Sequence, residues 1–331
     1  MQNAADRVNC RHDDKVSVIM PCYNHEQFVE DAVRSVWRQT HENVELICID
    51  DGSSDATASI LEKLQPDSPI QMQVVRKENE GVCKTLNRGV VLAEGQWFAF
   101  LASDDAYAED FIAACLDTMD IYEDANSIVL HCDAWRMDEG SRTFGRIYES
   151  SPVPPVKGDS FLDLSFGRGR VIAITLFLSR DLLERTGPFD ETLVSEDFDY
   201  HLRLSKHAEF HFIDRPLAYC RVLPTSLGRS PRKWASDGVK ILSKHKDDLG
   251  CRYAEALSSK HFRNFSVFCQ NGFFVDSFGD ARECLALAEM SSLPRLLLQM
   301  AHTLAYSLTK RIVLRLADLA RFRKSERTTG S

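Results

Sequence analysis

Three clusters of acidic side chains stand where carboxylates could do chemistry. Asp104 and Asp105 are adjacent and follow the wholly apolar run 97–101. Like charges at the mouth of a buried strand repel each other and are costly there unless a cation neutralises them. Mg2+ or Mn2+ suits such a pair, because these ions take oxygen ligands and commonly sit between carboxylates and a substrate diphosphate. The plainer alternative is a solvated turn that caps the next helix. A second cluster, Asp50-Asp51-Gly52-Ser53-Ser54-Asp55, closes another apolar run. It reads either as a turn with Asp55 capping a helix, or as a strand-end carboxylate that accepts a hydrogen bond from a nucleobase N–H. The third, Ser195-Glu196-Asp197-Phe198-Asp199, opens a helical pattern, where the helix dipole alone favours acidic residues.

These clusters need elements to hold them, and the chain supplies alternating periodicities. Residues 16–20 form a β-branched run that ends at Pro21, and 44–49 form a second. Both predict buried strands, followed by a weaker strand at 72–75 and a fourth at 97–101. Helices are predicted over 26–39, 82–93 and about 109–122, with a strand over 127–131. Strand and helix alternating at this interval imply βαβ units and a parallel sheet. Tyr23 and Asn24, Asp50 and Asp51, and Asp104 and Asp105 then all fall just past strand carboxyl ends, where open α/β sheets bind ligands. Further on, the pattern predicts a breaker-rich loop at 151–155, a strand at 171–178 and a short helix at 181–186. A helix at about 196–207 follows, then strands at 210–213 and 218–222. Beyond Leu223 it is helical throughout.

Several motifs together resemble family 2 glycosyltransferases of the GT-A fold. They are VSVIMPCYNHEQFVEDAVRSVWRQT (16–40), VELICIDDGSSDAT (44–57), ENEGVCKTLNRGVVLAEGQW (78–97), FLASDDAY (100–107) and GPFDETLVSEDFDYHLRLS (187–205). The resemblance covers about 16–222. It implies a mostly parallel, Rossmann-like α/β sheet flanked by helices, and an inverting transfer of sugar from a nucleotide-diphosphate sugar, with UDP the common nucleotide. Pro21, Tyr23, Asn24 and Asp51 would then lie at the nucleotide, Tyr23 packing on the base and Asp51 bonding it. Asn79, Gly81 and Lys84 would flank the diphosphate and donor sugar, with Asp104 beside them. Asp104 and Asp105 would hold the metal. Asp197 would be the general base on the acceptor hydroxyl, with Glu196 beside it. The chain departs from the family where Ala102 replaces an acidic residue and Leu86 replaces a common arginine.

Composition sets outer limits. The chain has 331 residues, 44% hydrophobic and 27% charged, which excludes wholesale disorder. Its net charge of −9 argues against nucleic acid as a partner. That charge is divided: residues 1–225 carry 22 basic and 39 acidic side chains, and 226–331 carry 18 and 10. The expected organisation is a polar segment at 1–15, a transferase domain at 16–225 and a basic helical region at 226–331. The ten cysteines form no CxxC pair, and 1–15 has no signal-peptide pattern, so a cytoplasmic setting is expected.

Neither a GxSxG elbow, a GxxxxGK[ST] loop nor a strand-following GxGxxG is present. In the tail, Leu308, Ile312, Leu316 and Leu319 fall on one helical face, with Lys310, Arg311, Arg315 and Arg321 largely on another. Such a helix either packs on the catalytic domain or a second copy of the chain, or lies on an anionic membrane surface. A membrane contact would suit a lipid-linked glycan acceptor, a glycan being the general expectation, and cell-surface polysaccharide assembly. Two other readings stay open: a sugar-phosphate nucleotidyltransferase, disfavoured by Pro21-Cys22-Tyr23-Asn24 after the first strand, and a scaffold that binds nucleotide sugar without transferring it.

Overall fold

The β-branched run at the N-terminus becomes the strand β1 (Val16–Cys22), and nearly all of it is buried. It pairs in parallel with β2 (Val44–Asp51) on one side and with β4 (Trp97–Phe100) on the other. β3 (Gln71–Lys77) extends this block in parallel beyond β2. Because β2 is buried along its whole length, both faces need cover. That cover includes α1 (Val29–Trp37), α2 (Thr57–Leu64) and α3 (Val82–Leu92), each burying an apolar stripe. These coordinates come from a computed structural model, which describes residues 11–194, 196–223, 231–271, 274–287, 296–305 and 307. The chain divides into two compact units, Met1–Leu227 and Gly228–Ser331.

The rest of the first unit turns the parallel block into a mixed sheet. β5 (Ala106–Tyr107) and α4 (Phe111–Met119) lead to β6 (Ile128–Met137) and β7 (Thr143–Arg146). After α5 (Phe161–Phe166) come β8 (Phe177–Ser179), α6 (Arg180–Thr186), α7 (Glu196–Leu204) and β9 (Glu209–Arg221). The sheet order is β3-β2-β1-β4-β8-β6-β9-β5, with β7 beside β6. β8 runs antiparallel to β4, while β6 and β9 are parallel. Trp97 stacks on Phe177 at 5.6 Å across the β4–β8 junction, which joins the two halves through one apolar core.

The departures from expectation have local causes. The strand expected at 171–178 is mostly absent: Ala173–Thr175 is a 3-10 turn, and only Phe177–Ser179 pairs. Thr175 Oγ1 donates to the Ile172 carbonyl at 2.8 Å and accepts from the Cys132 amide at 3.3 Å, so a side chain supplies bonds that a ladder would otherwise make. The strand expected to stop at His131 continues to Met137. Its polar Asp133 is accommodated because its carboxylate accepts from Arg146 Nε at 2.7 Å and from the Tyr148 amide at 3.2 Å. The two strands expected at 210–213 and 218–222 are one strand, with register shifts opposite Asp133 absorbing the polar residues between them.

The second unit is helical in its described residues: α8 (Pro231–Lys244), α9 (Lys246–Leu249), α10 (Tyr253–Asn271) and α11 (Phe274–Leu287). Phe265, Cys269, Cys284 and Met300 form its small core, and His261 Nδ1 meets Asp280 Oδ1 at 2.6 Å. No described helix is long and apolar enough to cross a membrane. The amphipathic pattern of Leu308, Ile312, Leu316 and Leu319 lies outside the described residues.

Beneath β1, the buried Glu45 carboxylate accepts from Ser17 Oγ at 2.5 Å and from the amides of Glu94 at 2.6 Å and Gly95 at 3.0 Å. A Cβ on Gly95 would stand 2.5 Å from Ser17 Oγ and 2.7 Å from the Lys15 carbonyl oxygen. Gly95→Ala is therefore expected to destabilise the protein by about 2 kcal/mol in urea unfolding. A variant as stable as the parent would mean that this backbone approach is not tight.

Candidate active site

The carboxyl ends of β1, β2 and β4 lie side by side, since Cys22 registers with Asp50 and Ile19 with Phe100. The loops leaving them are sewn together by side chains. Asn24 adopts a left-handed conformation, φ 53°, which asparagine tolerates. Its amide donates to Ser53 Oγ at 3.0 Å, and its Oδ1 accepts from the Ser54 amide at 2.8 Å. Asp55 accepts from the Glu26 amide at 3.0 Å and caps the turn through the Thr57 amide at 2.9 Å. Gly52 has φ 73°, and a Cβ there would lie 2.7 Å from the Asn79 nitrogen, so this loop rests directly on the segment before α3. Pro21, beside Ile49, and Tyr23, half exposed, complete the rim next to Asp51.

Asp51 is the hub on this side. Its carboxylate pairs with Lys77 Nζ and accepts from the amides of Glu80 at 2.9 Å and Gly81 at 3.0 Å. Burial by itself would raise its pKa, but Lys77 and the two amides outweigh burial and hold the carboxyl below its ordinary value. Gly81, φ 94°, is the residue before α3, so Asp51 also fixes where that helix begins. Lys84, in the first turn of α3, meets Glu80 Oε1 at 3.1 Å on the rim.

The Asp104–Asp105 pair sits past β4. Asp105 is buried, and one of its oxygens accepts the Arg221 amide at 2.6 Å. Burial and then the neighbouring Asp104 push the Asp105 carboxyl well above its ordinary range, against the pull of Arg221. A carboxylate so placed calls for a proton or a cation, so the pair fits a divalent ion. Arg221 also donates from Nε to the Asp104 carbonyl at 2.8 Å and from a terminal nitrogen to the Asp138 carbonyl at 2.9 Å, and its guanidinium lies 4.4 Å over the Phe28 ring. Among the described residues no group of three or more His, Cys, Asp or Glu gathers as a metal site. A cation here would complete its shell with substrate oxygens or water, as Mg2+ usually does.

α7 is brought to the same region through α3. Cys83 Sγ donates to the Leu193 carbonyl at 3.4 Å, and Asn87 exchanges hydrogen bonds with the Phe189 backbone at 2.8 and 3.0 Å. Phe189 stacks on Tyr200 of α7 at 4.0 Å and packs edgewise on Phe100 of β4 at 5.7 Å. Glu196 and Asp197, in the first turn of α7, are half-buried. Removal from solvent and the adjacent Asp197 push the Glu196 carboxyl up to about 7. Arg203 ties down Asp199 at 2.8 Å and the Thr186 carbonyl at 2.7 Å, which steadies the helix from behind.

A mixed sheet with flanking helices and a ligand rim at the carboxyl ends of β1, β2 and β4 is the GT-A arrangement. TarS 1-349 of S. aureus in complex with UDP-GlcNAc aligns at a TM-score of 0.61 and 19% identity, over 88% of this chain and 89% of that one. Its complex with UDP aligns equally well, at 0.60 and 21% identity over 88% of each chain. Mannosyltransferase PcManGT from Pyrobaculum calidifontis, in complex with GDP-Man and Mn2+, gives 0.57 and 15% identity over 92% of this chain and 88% of that one. At these identities the likeness establishes the fold.

The family described as Glycosyl transferase family 2 matches residues 17–166, and the chain belongs to that family. An uncharacterized glycosyltransferase of Rickettsia felis is 38% identical over 234 residues, 70% of this chain and 37% of its own length. Putative teichuronic acid biosynthesis glycosyltransferase TuaG of Bacillus subtilis is 38% identical over 104 residues, 31% of this chain and 41% of its own. The chain spans 38%, 37% and 19% of the first three curated relatives.

Three residues at this site were not singled out by sequence reasoning. Lys77 and Arg221 sit at strand ends, where a basic residue gives no signal until its partner is known. His25 has no second ligand at metal-binding spacing in the sequence, yet its ring Nδ1 is 2.8 Å from Ser103 Oγ and 3.8 Å from Asp104 Oδ1. Its place directly after Tyr23-Asn24 was the available clue.

The Asp51 arrangement can be tested alone. A depressed carboxyl contributes stability above its unfolded value, near 3.8, and that stability is lost as pH falls through the lower folded value. Lys77→Met is expected to raise the Asp51 pKa in a carboxyl-carbon NMR titration and to narrow the acid-stable range. An unchanged titration would show that the two amides suffice without Lys77.

Proposed function

We propose that this chain is an inverting glycosyltransferase that moves a sugar from a nucleotide-diphosphate sugar, UDP-linked, to a hydroxyl of a glycan or lipid-linked glycan acceptor. The observation that carries this reading is the tethering of α7 to α3 and of α3 to Asp51. It brings Leu193, three residues before Glu196, and the Asp51 carboxylate to the first turn of α3 and the glycine before it. The UDP and UDP-GlcNAc complexes of TarS support the donor class, and the description of TuaG supports cell-surface polysaccharide as the setting.

In this reading the exposed Tyr23 ring packs on the base, and Asp51, which its Lys77 and amide partners keep ionised, accepts from a base N–H. Pro21 and Asn24 shape the rim around the base. Asn79, Gly81 and Lys84 line the diphosphate and sugar, Lys84 supplying positive charge once it leaves Glu80. Asp104 and Asp105 would hold Mg2+ or Mn2+, Asp104 directly and Asp105 from behind it, where the ion would offset negative charge on the departing diphosphate.

Asp197 takes the proton from the acceptor hydroxyl. The acceptor oxygen bonds the anomeric carbon from the face opposite the diphosphate, and the bond from that carbon to the phosphate oxygen breaks with its electron pair leaving on the nucleotide. Glu196, beside Asp197, stays protonated below neutral pH. When it ionises, it adds a second negative charge that favours a cationic sugar in the transition state.

Asp197→Asn should lower turnover about 10²- to 10⁴-fold while leaving UDP affinity within a factor of about two, read by transfer assay and calorimetry. Normal transfer by that variant would remove Asp197 from the reaction. The rate should rise with pH through about 7 and lose this limb in Glu196→Gln. Because the folded pKa is raised, the stability linked to Glu196 is full below about 4.5 and is lost as pH climbs through 7. A limb that survives in Glu196→Gln would assign it to another group.

A further inference from the structure

We propose that His25 is a nitrogen ligand to the divalent cation at Asp104, an inference that rests on the cation reading above. The residue is rigidly presented. Its backbone amide donates to Thr57 Oγ1 at 2.8 Å, and the preceding Asn24 is locked to the Ser53–Ser54 turn. The connection from β2 to α2 therefore fixes where the imidazole starts. The ring Nδ1 lies 2.8 Å from Ser103 Oγ and 3.8 Å from Asp104 Oδ1, with the side chain 28% exposed. Donor atoms about 2.1 Å from one ion stand roughly 3 Å apart when adjacent and about 4 Å apart when opposite. The observed separation falls inside that interval, so one ion can bond both atoms with little movement of either backbone.

The surroundings give the imidazole this task. Residue 102 is alanine and offers no carboxylate, and Asp105 is buried with one oxygen committed to the Arg221 amide. The donors left at the mouth of β4 are the Asp104 carboxylate, the His25 ring and the oxygens of a bound diphosphate. Ser103 holds Nδ1 until the cation exchanges that hydrogen bond for a metal bond. Nε2 has no hydrogen-bond partner among the described residues, so it can carry the ring proton while Nδ1 ligates.

A chemical consequence follows. Imidazole binds first-row transition ions well, whereas Mg2+ prefers oxygen donors and retains its water. A site with one nitrogen ligand should therefore favour Mn2+ over Mg2+ more strongly than a site made of carboxylates alone.

The test is Mn2+ binding to tag-free full-length protein with UDP, and separately with GDP, followed by pulsed EPR. The parent protein is expected to show imidazole 14N coupling to Mn2+, and His25→Ala should lose it. Mn2+ affinity should fall about tenfold in that variant, with Mg2+ affinity changed less than about twofold. His25→Asn, which can keep a side-chain contact to Ser103, should lose the coupling as well, and thereby separates ligation from loop bracing. Bound Mn2+ without imidazole coupling, coupling that persists in His25→Ala, or equal weakening of both ions overturns the proposal while leaving the cation reading intact. Failure of Mn2+ to bind with either nucleotide overturns both.

Discussion

Concentrated negative charge at the carboxyl end of an apolar sheet is the constraint around which this protein is arranged. Asp50, Asp51, Asp104 and Asp105 all fall at or just past the ends of buried parallel strands. Water cannot solvate them fully there, so each needs partners from elsewhere in the chain. Asp51 receives a lysine and two amides, Asp105 an amide from a distant strand, and Glu196 keeps its proton up to about 7. The three solutions are chemically different. A carboxylate already saturated by its own chain is suited to reading a ligand N–H with its last lone pair. One left short of positive charge is suited to a cation.

Those same partners build the scaffold. Arg221 closes β9 by gripping the Asp104–Asp105 turn and the Asp138 hairpin at once, so the end of the last strand is tied to the turn that follows β4. Asp51 sets the start of α3, and α3 in turn sets the entry to α7 through Cys83 and Asn87. Hydrogen bonds to charged groups contribute about 1.5–3 kcal/mol each, roughly twice neutral ones. Such bonds can hold loops as firmly as strands. The rim is irregular backbone, yet it is cross-braced at Asn24, Asp55, Gly52 and Arg221.

Alternating apolar runs and helical stripes made the parallel block legible from composition and spacing, because a buried parallel strand must be apolar on both faces. The clusters at Asp51 and Asp104 stood out for a related reason, since a carboxylate at the end of such a run needs a partner, whereas the Asp197 cluster showed only as the acidic start of a helical pattern. The second half of the sheet was harder to read. β6 carries Asp133 and Arg136 inside a strand, and its polarity makes sense only beside Arg146 and Ser150. The 3-10 turn at Ala173–Thr175 interrupts an apolar run because a threonine hydroxyl made local bonds that no hydrophobic pattern encodes.

The sequence by itself determined which residues are acidic, where they stand relative to apolar runs, and hence the family and the side of the sheet that carries the rim. Tertiary structure alone decided which partner each acid acquired: Lys77 for Asp51, the Arg221 amide for Asp105, and the His25 ring within reach of Asp104. The reason is separation along the chain. Strand and helix periodicity are local and can be read in a window of a few residues, whereas Arg221 meets Asp105 across 116 residues and His25 meets Ser103 across 78. Contacts at that range exist only once the sheet has closed the distance.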